Sequence, residues 1–154
     1  MQKRKLEIWR IMKRIMKYSY FKIVQDAYNE IFREYSKPIR EDFNKNSLID
    51  EKIKYIIETE YNTIEELCQD VLKLYGDILL LQPFEDGNHR TALKTVQIIL
   101  SKKGYNLRID IISDIKCNRI DMPYFYELDE YIEPECIEAF SKYIEEMPNL
   151  QRDY

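Results

Sequence analysis

The stretch Gln82-Pro83-Phe84-Glu85-Asp86-Gly87-Asn88-His89-Arg90-Thr91-Ala92-Leu93 decides how this chain reads. It lies between two segments with helical apolar spacing and holds one of three glycines and the only histidine. Phe84 is an apolar anchor. An acid follows, and Gly87-Asn88-His89-Arg90 then opens a helical pattern. A helix start leaves backbone N–H groups without partners and carries the positive end of the helix dipole. Such an end favours phosphate, and the forked guanidinium of Arg90 adds a cation with matching geometry. Asp86 offers oxygen to a hard cation such as Mg²⁺, the usual companion of nucleotide phosphates.

Upstream of this stretch, Thr63 and Glu66 form a capping box. Ile64, Leu67, Cys68, Val71, Leu72, Tyr75, Ile78 and Leu79 then make a wide apolar stripe. A helix this apolar is central, and it delivers the loop at its C-terminal end. Downstream, Ala92, Val96, Ile99 and Leu100 share one face until Lys102-Lys103-Gly104, where cations and then glycine end a helix. The loop is therefore gripped by two core helices, as a rigid anion cradle requires.

Further out, Val24, Ala27, Tyr28, Ile31, Phe32 and Tyr35 predict a helix that stops at Ser36-Lys37-Pro38. Residues 39–46 read as a connection, and Ser47 to Glu58 as a helix with Ile49, Ile53, Ile56 and Ile57 on one face. Leu107, Ile109 and Ile111 alternate as in a short strand. Asp121 and Pro123 predict a helix start ahead of Tyr124, Phe125 and Tyr126. Pro134 opens a last helix, with Ile137, Phe140, Ile144 and Met147 inward and Pro148 stopping it. Residues 3–17 carry seven Lys and Arg against one acid, with Leu6, Trp9, Met12 and Met16 at helical spacing. They read as a terminal helix that packs Trp9 and Met16 while its cations face water, the alternative being a basic amphipathic helix on an anionic membrane or nucleic acid, with no clear partner of either kind indicated.

The expected fold is mainly α: one compact helical bundle over residues 1–154, without repeats or linkers, and with room for a small β-hairpin. Apolar residues make up 45% of the chain and charged residues 34%, a globular balance and not a disordered one. The longest apolar run, Ile78 to Leu81, is far too short for a membrane span. Three cysteines without metal spacing, and one histidine, leave little material for a zinc site and suit a reducing cytoplasm. A secreted effector remains compatible with that composition. Charge is segregated along the chain. Residues 1–50 carry 12 Lys and Arg against 7 Asp and Glu, and residues 51–154 carry 12 against 21.

The central stretch resembles the signature of the Fic/Doc (Fido) family, His-x-Phe-x-Asp/Glu-Gly-Asn-Gly-Arg-x-x-Arg. Pro83, Phe84, Asp86, Gly87, Asn88 and Arg90 match it. Gln82 stands at the family's catalytic histidine, His89 at its second glycine and Leu93 at its last arginine. The ending Arg90-Thr91-Ala92-Leu93 is similar to the Doc branch, where a bulky lysine occupies the position of His89. The resemblance implies a Fic/Doc-like bundle with a β-hairpin flap upstream of the motif, for which residues 37–46 are the nearest candidate. It implies ATP or another nucleoside triphosphate as cofactor, with Mg²⁺ at Asp86 and phosphates at Gly87, Asn88, His89 and Arg90. The partner it implies is a protein with a hydroxyl target, modified by AMP transfer or, in Doc-like members, by phosphorylation. An antitoxin or other inhibitory partner belongs to the same expectation. In this family the first motif residue takes the proton from the attacking hydroxyl. A neutral carboxamide at Gln82 cannot, and losing a positioned base costs about 10²–10⁴ in rate. The implied protein is therefore an impaired transferase, or a fold that binds and regulates a partner without catalysis.

Overall fold

The computed structural model describes residues 20–31, 43–84 and 87–148. Within them the fold is mainly helical, with six helices and one small antiparallel sheet. In chain order these are α1 (Lys22–Ile31), α2 (Phe43–Glu58), α3 (Ile64–Leu81), α4 (Asn88–Lys102), β1 (Tyr105–Leu107), α5 (Asp110–Lys116), α6 (Pro134–Ser141) and β2 (Ile144–Glu146). No described helix is long and apolar enough to cross a membrane. The basic segment 3–17, the positions Phe32 and Tyr35, and residues 37–42 of the flap candidate lie outside the described residues.

Helix α3 is the axle. Thr63 caps its start, its hydroxyl accepting from the Glu66 N–H at 3.2 Å, as the capping box predicts. Leu67, Cys68, Val71, Leu72, Leu74 and Ile78 are all buried, each large aliphatic side chain contributing about 1.5–3 kcal/mol over exposure. Helix α4 packs along α3 and presents Ala92, Val96, Ile99 and Leu100 to the same core. Helix α1 lies on α4 and contributes Val24, Ala27 and Tyr28. Helix α2 closes the other side of α3 with Ile49, Ile53 and Ile56.

Two polar side chains tie the helix ends together. The Asp50 carboxylate of α2 accepts from the N–H groups of Tyr20 and Phe21 at 2.9 and 2.8 Å, standing in for a cap ahead of α1. Burial raises the Asp50 carboxyl above its ordinary value, and those two N–H donors pull it partly back. Lys103, just past α4, donates its ammonium to the carbonyl of Ile57 at 2.9 Å and to that of Thr59. It thereby satisfies carbonyls that the end of α2 leaves open.

The structure corrects four boundaries. Helix α2 starts at Phe43, so residues 43–46 are helical and belong neither to a connection nor to a flap. No proline or glycine lies between Pro38 and Ser47 to prevent it. Ile109 and Ile111 do not alternate along a strand. The strand ends at Leu107, and α5 then buries Ile111 and exposes Ile109, with Asp110 in its first turn and Lys116 in its last. Residues 121–133 form no helix, because Phe125 points in while Tyr124 and Tyr126 point out, the period of extended chain. Helix α6 stops at Ser141 instead of Pro148, since Ile144–Glu146 leaves it to pair with β1. Its register joins Tyr105 to Glu146 and Leu107 to Ile144 across a long sequence separation, so this sheet is no local hairpin.

Candidate functional site

The loop between α3 and α4 is built from two left-handed turns with a buried anchor between them. Gln82 ends α3 at φ 47°, ψ 68°, donating its N–H to the Ile78 carbonyl at 2.9 Å. This closes α3 as an αL cap, a place where glycine is the usual residue. The Gln82 side chain is exposed. Pro83 and Phe84 then turn inward and are buried. The Phe84 ring stacks on Tyr28 of α1, with centroids 3.9 Å apart and planes within 6°. Gly87 makes the second turn at φ 74°, ψ 13°, directly ahead of α4. A side chain there would be strained, which explains glycine at this position.

Asn88 locks the loop. Its side-chain carbonyl accepts from the Phe84 N–H at 3.1 Å, and its amide donates to the Phe84 carbonyl at 2.9 Å. The side chain thus works on the loop itself, and any contact from Asn88 to an anion falls to its backbone N–H. Among the described residues no side chain caps α4, and its first ladder bond runs from the Thr91 N–H to the Gly87 carbonyl at 3.0 Å. The N–H groups of Asn88, His89 and Arg90 lie ahead of that ladder. His89 and Arg90 are both exposed beside them. Asp86, the expected metal ligand, lies outside the described residues. Among the described residues no three His, Cys, Asp or Glu side chains converge as a metal site.

Arg90 also borders a cavity of about 340 Å³ between α4, β1 and α5. Leu93, Leu107, Ile111 and Ile112 supply an apolar wall, and Arg90, Lys94, Arg108 and Lys116 supply cations, with no acid in the lining. Lys94 is paired with Glu30 at 3.2 Å, and Arg108 with Asp110. Arg90 and Lys116 have no acidic partner among the described residues. The cavity is of the size that takes small ligands, and its free charge is of the sign that takes phosphate. Leu93 forms part of the apolar wall.

A second polar cluster escaped the sequence reading. Asp77 sits fully buried in the middle of α3, its carboxylate 3.1 Å from the Lys52 ammonium of α2. Its other oxygen accepts from the Asp129 N–H at 2.9 Å. Lys52 also binds the Asp129 carboxylate. Desolvation raises the Asp77 carboxyl above its ordinary value and outweighs the Asp129 N–H and the Lys52 ammonium. Desolvation acts downward on Lys52, but hydrogen bonds to Asp129 and Asp77 carry it above the usual lysine value. The available signal was an acid set inside an apolar stripe, between Tyr75 and Ile78. A cleft of about 490 Å³ opens beside this cluster, lined by Tyr55, Asp70, Lys73 and Asp129 among others. The Lys52 head is spent on the two carboxylates, so the cluster's evident work is to fasten the 121–133 loop to α2 and α3.

No family model, no curated protein and no solved structure matches this chain.

Proposed function

We propose that this chain is a Fic/Doc-type transferase scaffold that binds a nucleoside triphosphate at the Gly87–Arg90 turn and is impaired in transfer because Gln82 replaces the base. The observation that carries this reading is the closed loop at the start of α4. Asn88 fixes the loop through Phe84, Gly87 turns it, and Arg90, without an acidic partner among the described residues, stands between a helix end that no described side chain caps and a cavity with an apolar wall. A rigid cradle whose first N–H groups lie ahead of the helix ladder, beside a forked cation, suits phosphate, and the adjoining apolar wall suits a flat base. Mg²⁺ would arrive with the nucleotide and take one carboxylate, the role the family resemblance gives Asp86. Its chemistry is charge neutralisation on the phosphates. The protein partner in this reading carries the hydroxyl that attacks, and AMP transfer is the expected reaction. Phosphoryl transfer is the alternative, because His89 fills the family's glycine position as lysine does in Doc. Cytoplasmic action and control by an antitoxin belong to the same proposal.

A non-catalytic binding module is the second reading, and one feature favours it: the exposed Gln82 carboxamide has no proton acceptor of useful basicity near neutral pH. The deciding experiment compares this chain with Gln82→His, incubated with lysate and ATP labelled at the α- or the γ-phosphate. A gain of about 10²–10⁴ in labelling, the usual worth of a general base, supports the transferase. Label from the α-phosphate marks AMP transfer, and label from the γ-phosphate alone marks a kinase. A folded histidine variant that binds nucleotide and labels nothing favours the module. Arg90→Ala checks the binding step separately. It should abolish most ATP affinity in calorimetry with little change in thermal midpoint, because Arg90 is exposed and has no acidic partner among the described residues.

A further inference from the structure

Helix α5 ends at Lys116 and α6 starts at Pro134, leaving a long connection with no regular structure. Connections of this length in a small fold are unusual and tend to carry function. Its backbone is nonetheless anchored. Ile120, Phe125 and Ile132 are buried in the core, and Asp129 is tied to Asp77 and Lys52. The Cys136 thiol, at the start of α6, donates to the Asp121 carbonyl at 3.4 Å. Between these anchors the aromatic side chains face water. Tyr124 is 67% exposed, Tyr126 82% and Tyr131 70%. The Tyr124 and Tyr126 rings meet edge to face at 5.6 Å, so they hold each other upright. Beside them runs a groove of about 500 Å³ between the loop and α6, with Met122, Pro123 and Ala139 in its lining.

Exposed tyrosines on an anchored loop have the composition of an interface centre. The charge says what kind of partner fits. From Ile120 to Ser141 the chain holds seven Asp and Glu and no Lys or Arg. Of these only Asp129 is ion-paired among the described residues. The carboxylates do not gather at a point, since no three of them converge as a metal site. Asp121, Glu130, Glu133 and Glu135 line the groove against a single cation, Arg119, which is paired with Asp114, and they lie beside rings whose faces attract cations. Nucleic acid is repelled by that sign. We propose that the groove between the 119–133 loop and α6 is a docking surface for an extended segment of a partner protein rich in arginine and lysine. Guanidinium groups stack on Tyr124 and Tyr131 in the groove and on Tyr126 beside it, while Asp121, Glu130 and Glu133 take their N–H forks. This surface is independent of the nucleotide reading and requires no catalysis.

The test uses the whole chain and a fluorescein-labelled dodecapeptide alternating arginine and alanine, read by anisotropy. The same peptide with citrulline for arginine is the control. Binding of the arginine peptide that weakens with added salt is expected, and the citrulline peptide should not bind. Tyr124→Ala, Tyr126→Ala and Tyr131→Ala combined should weaken binding roughly ten- to a hundredfold at unchanged net charge, the joint worth of three exposed cation–ring contacts. Glu130→Gln with Glu133→Gln should weaken it further than Glu65→Gln with Glu66→Gln, which remove the same charge at the other end of α3. Absence of binding by the parent chain at millimolar peptide overturns the proposal. So does affinity within twofold of the parent in the tyrosine variant, or equal loss from both glutamate pairs.

Discussion

Asn88 reaches back four residues and holds the backbone of Phe84 by both ends of its carboxamide, at 3.1 and 2.9 Å. Helix α4 and the end of α3 are thereby closed into one unit, and the Phe84 ring is held where it can stack on Tyr28. Asn88 is buried, so truncation leaves a backbone N–H and a carbonyl unpaired away from water. Asn88→Ala should cost about 2–3 kcal/mol, at the upper end for buried polar groups left without partners. Asn88→Asp keeps the acceptor and places a negative charge at a helix start but sets a carboxylate oxygen against the Phe84 carbonyl, so it should recover only part of the alanine loss. Urea denaturation of the three proteins checks the order, and equal stability of parent and alanine forms would remove Asn88 as the lock.

Gln82 is a non-glycine residue at φ 47°, and its side chain is exposed. The left-handed conformation costs about 1–2 kcal/mol for such a residue. Glycine relieves that cost but gives back part of it through a freer unfolded chain. Gln82→Gly should therefore stabilise the protein by about 0.5–1 kcal/mol, against little change in Gln82→Ala. Histidine tolerates positive φ better than most side chains. Gln82→His should then melt within a few degrees of the parent, a requirement for any fair activity comparison.

The loop and its two helices were legible because their signals are local. Thr63 with Glu66, the apolar spacing of α3, and Lys103-Gly104 past α4 each act within a turn or two. What escaped depends on distant partners. Ile144 leaves the α6 pattern because Leu107 offers it a strand, and no period in residues 134–147 announces that pairing. Tyr124, Phe125 and Tyr126 match the opening of a helix as well as an extended chain. The decision falls to Gly76, whose bare backbone gives the Phe125 ring its place. Asp77 was hidden for the same reason, since its partners Lys52 and Asp129 lie on other elements. At the candidate site the glycine turn was readable, and the use of Asn88 as a lock was not.

The Asp77 carboxyl is raised above its ordinary value of 3.8, burial being the largest cause. The folded state therefore holds this proton more tightly than the unfolded state does. Its contribution is complete below the unfolded value and is lost as pH rises through the folded one. The stability of the parent relative to Asp77→Asn should fall as pH rises from about 4, then level off above the folded value. A difference that instead grows with pH would reverse the assignment. Lys52→Met at neutral pH strands the Asp77 charge and should cost about 3 kcal/mol, the low end for a broken buried pair because Lys52 is partly exposed. Adding Asp77→Asn to Lys52→Met should recover most of that loss.

Gly76 lies buried in the middle of α3, where helix propensity favours alanine by about 1 kcal/mol. Packing opposes it. A Cβ at Gly76 would meet three atoms of the Phe125 ring at 2.5 to 2.7 Å, well inside contact distance. Phe125 is 6% exposed, so the ring cannot swing into water without surrendering its burial. Overpacking of this kind costs about 1–3 kcal/mol, so the clash wins over propensity. Gly76→Ala should lose about 1–2 kcal/mol net in urea denaturation. The displaced ring also carries Tyr124 and Tyr126 on either side. The variant should therefore bind the arginine peptide more weakly, although it alters no residue on the docking surface. Phe125→Leu with Gly76→Ala makes room for the Cβ and should regain stability over Gly76→Ala alone. If Gly76→Ala is as stable as the parent, Phe125 does not bear on α3 as the 2.5 Å approach requires.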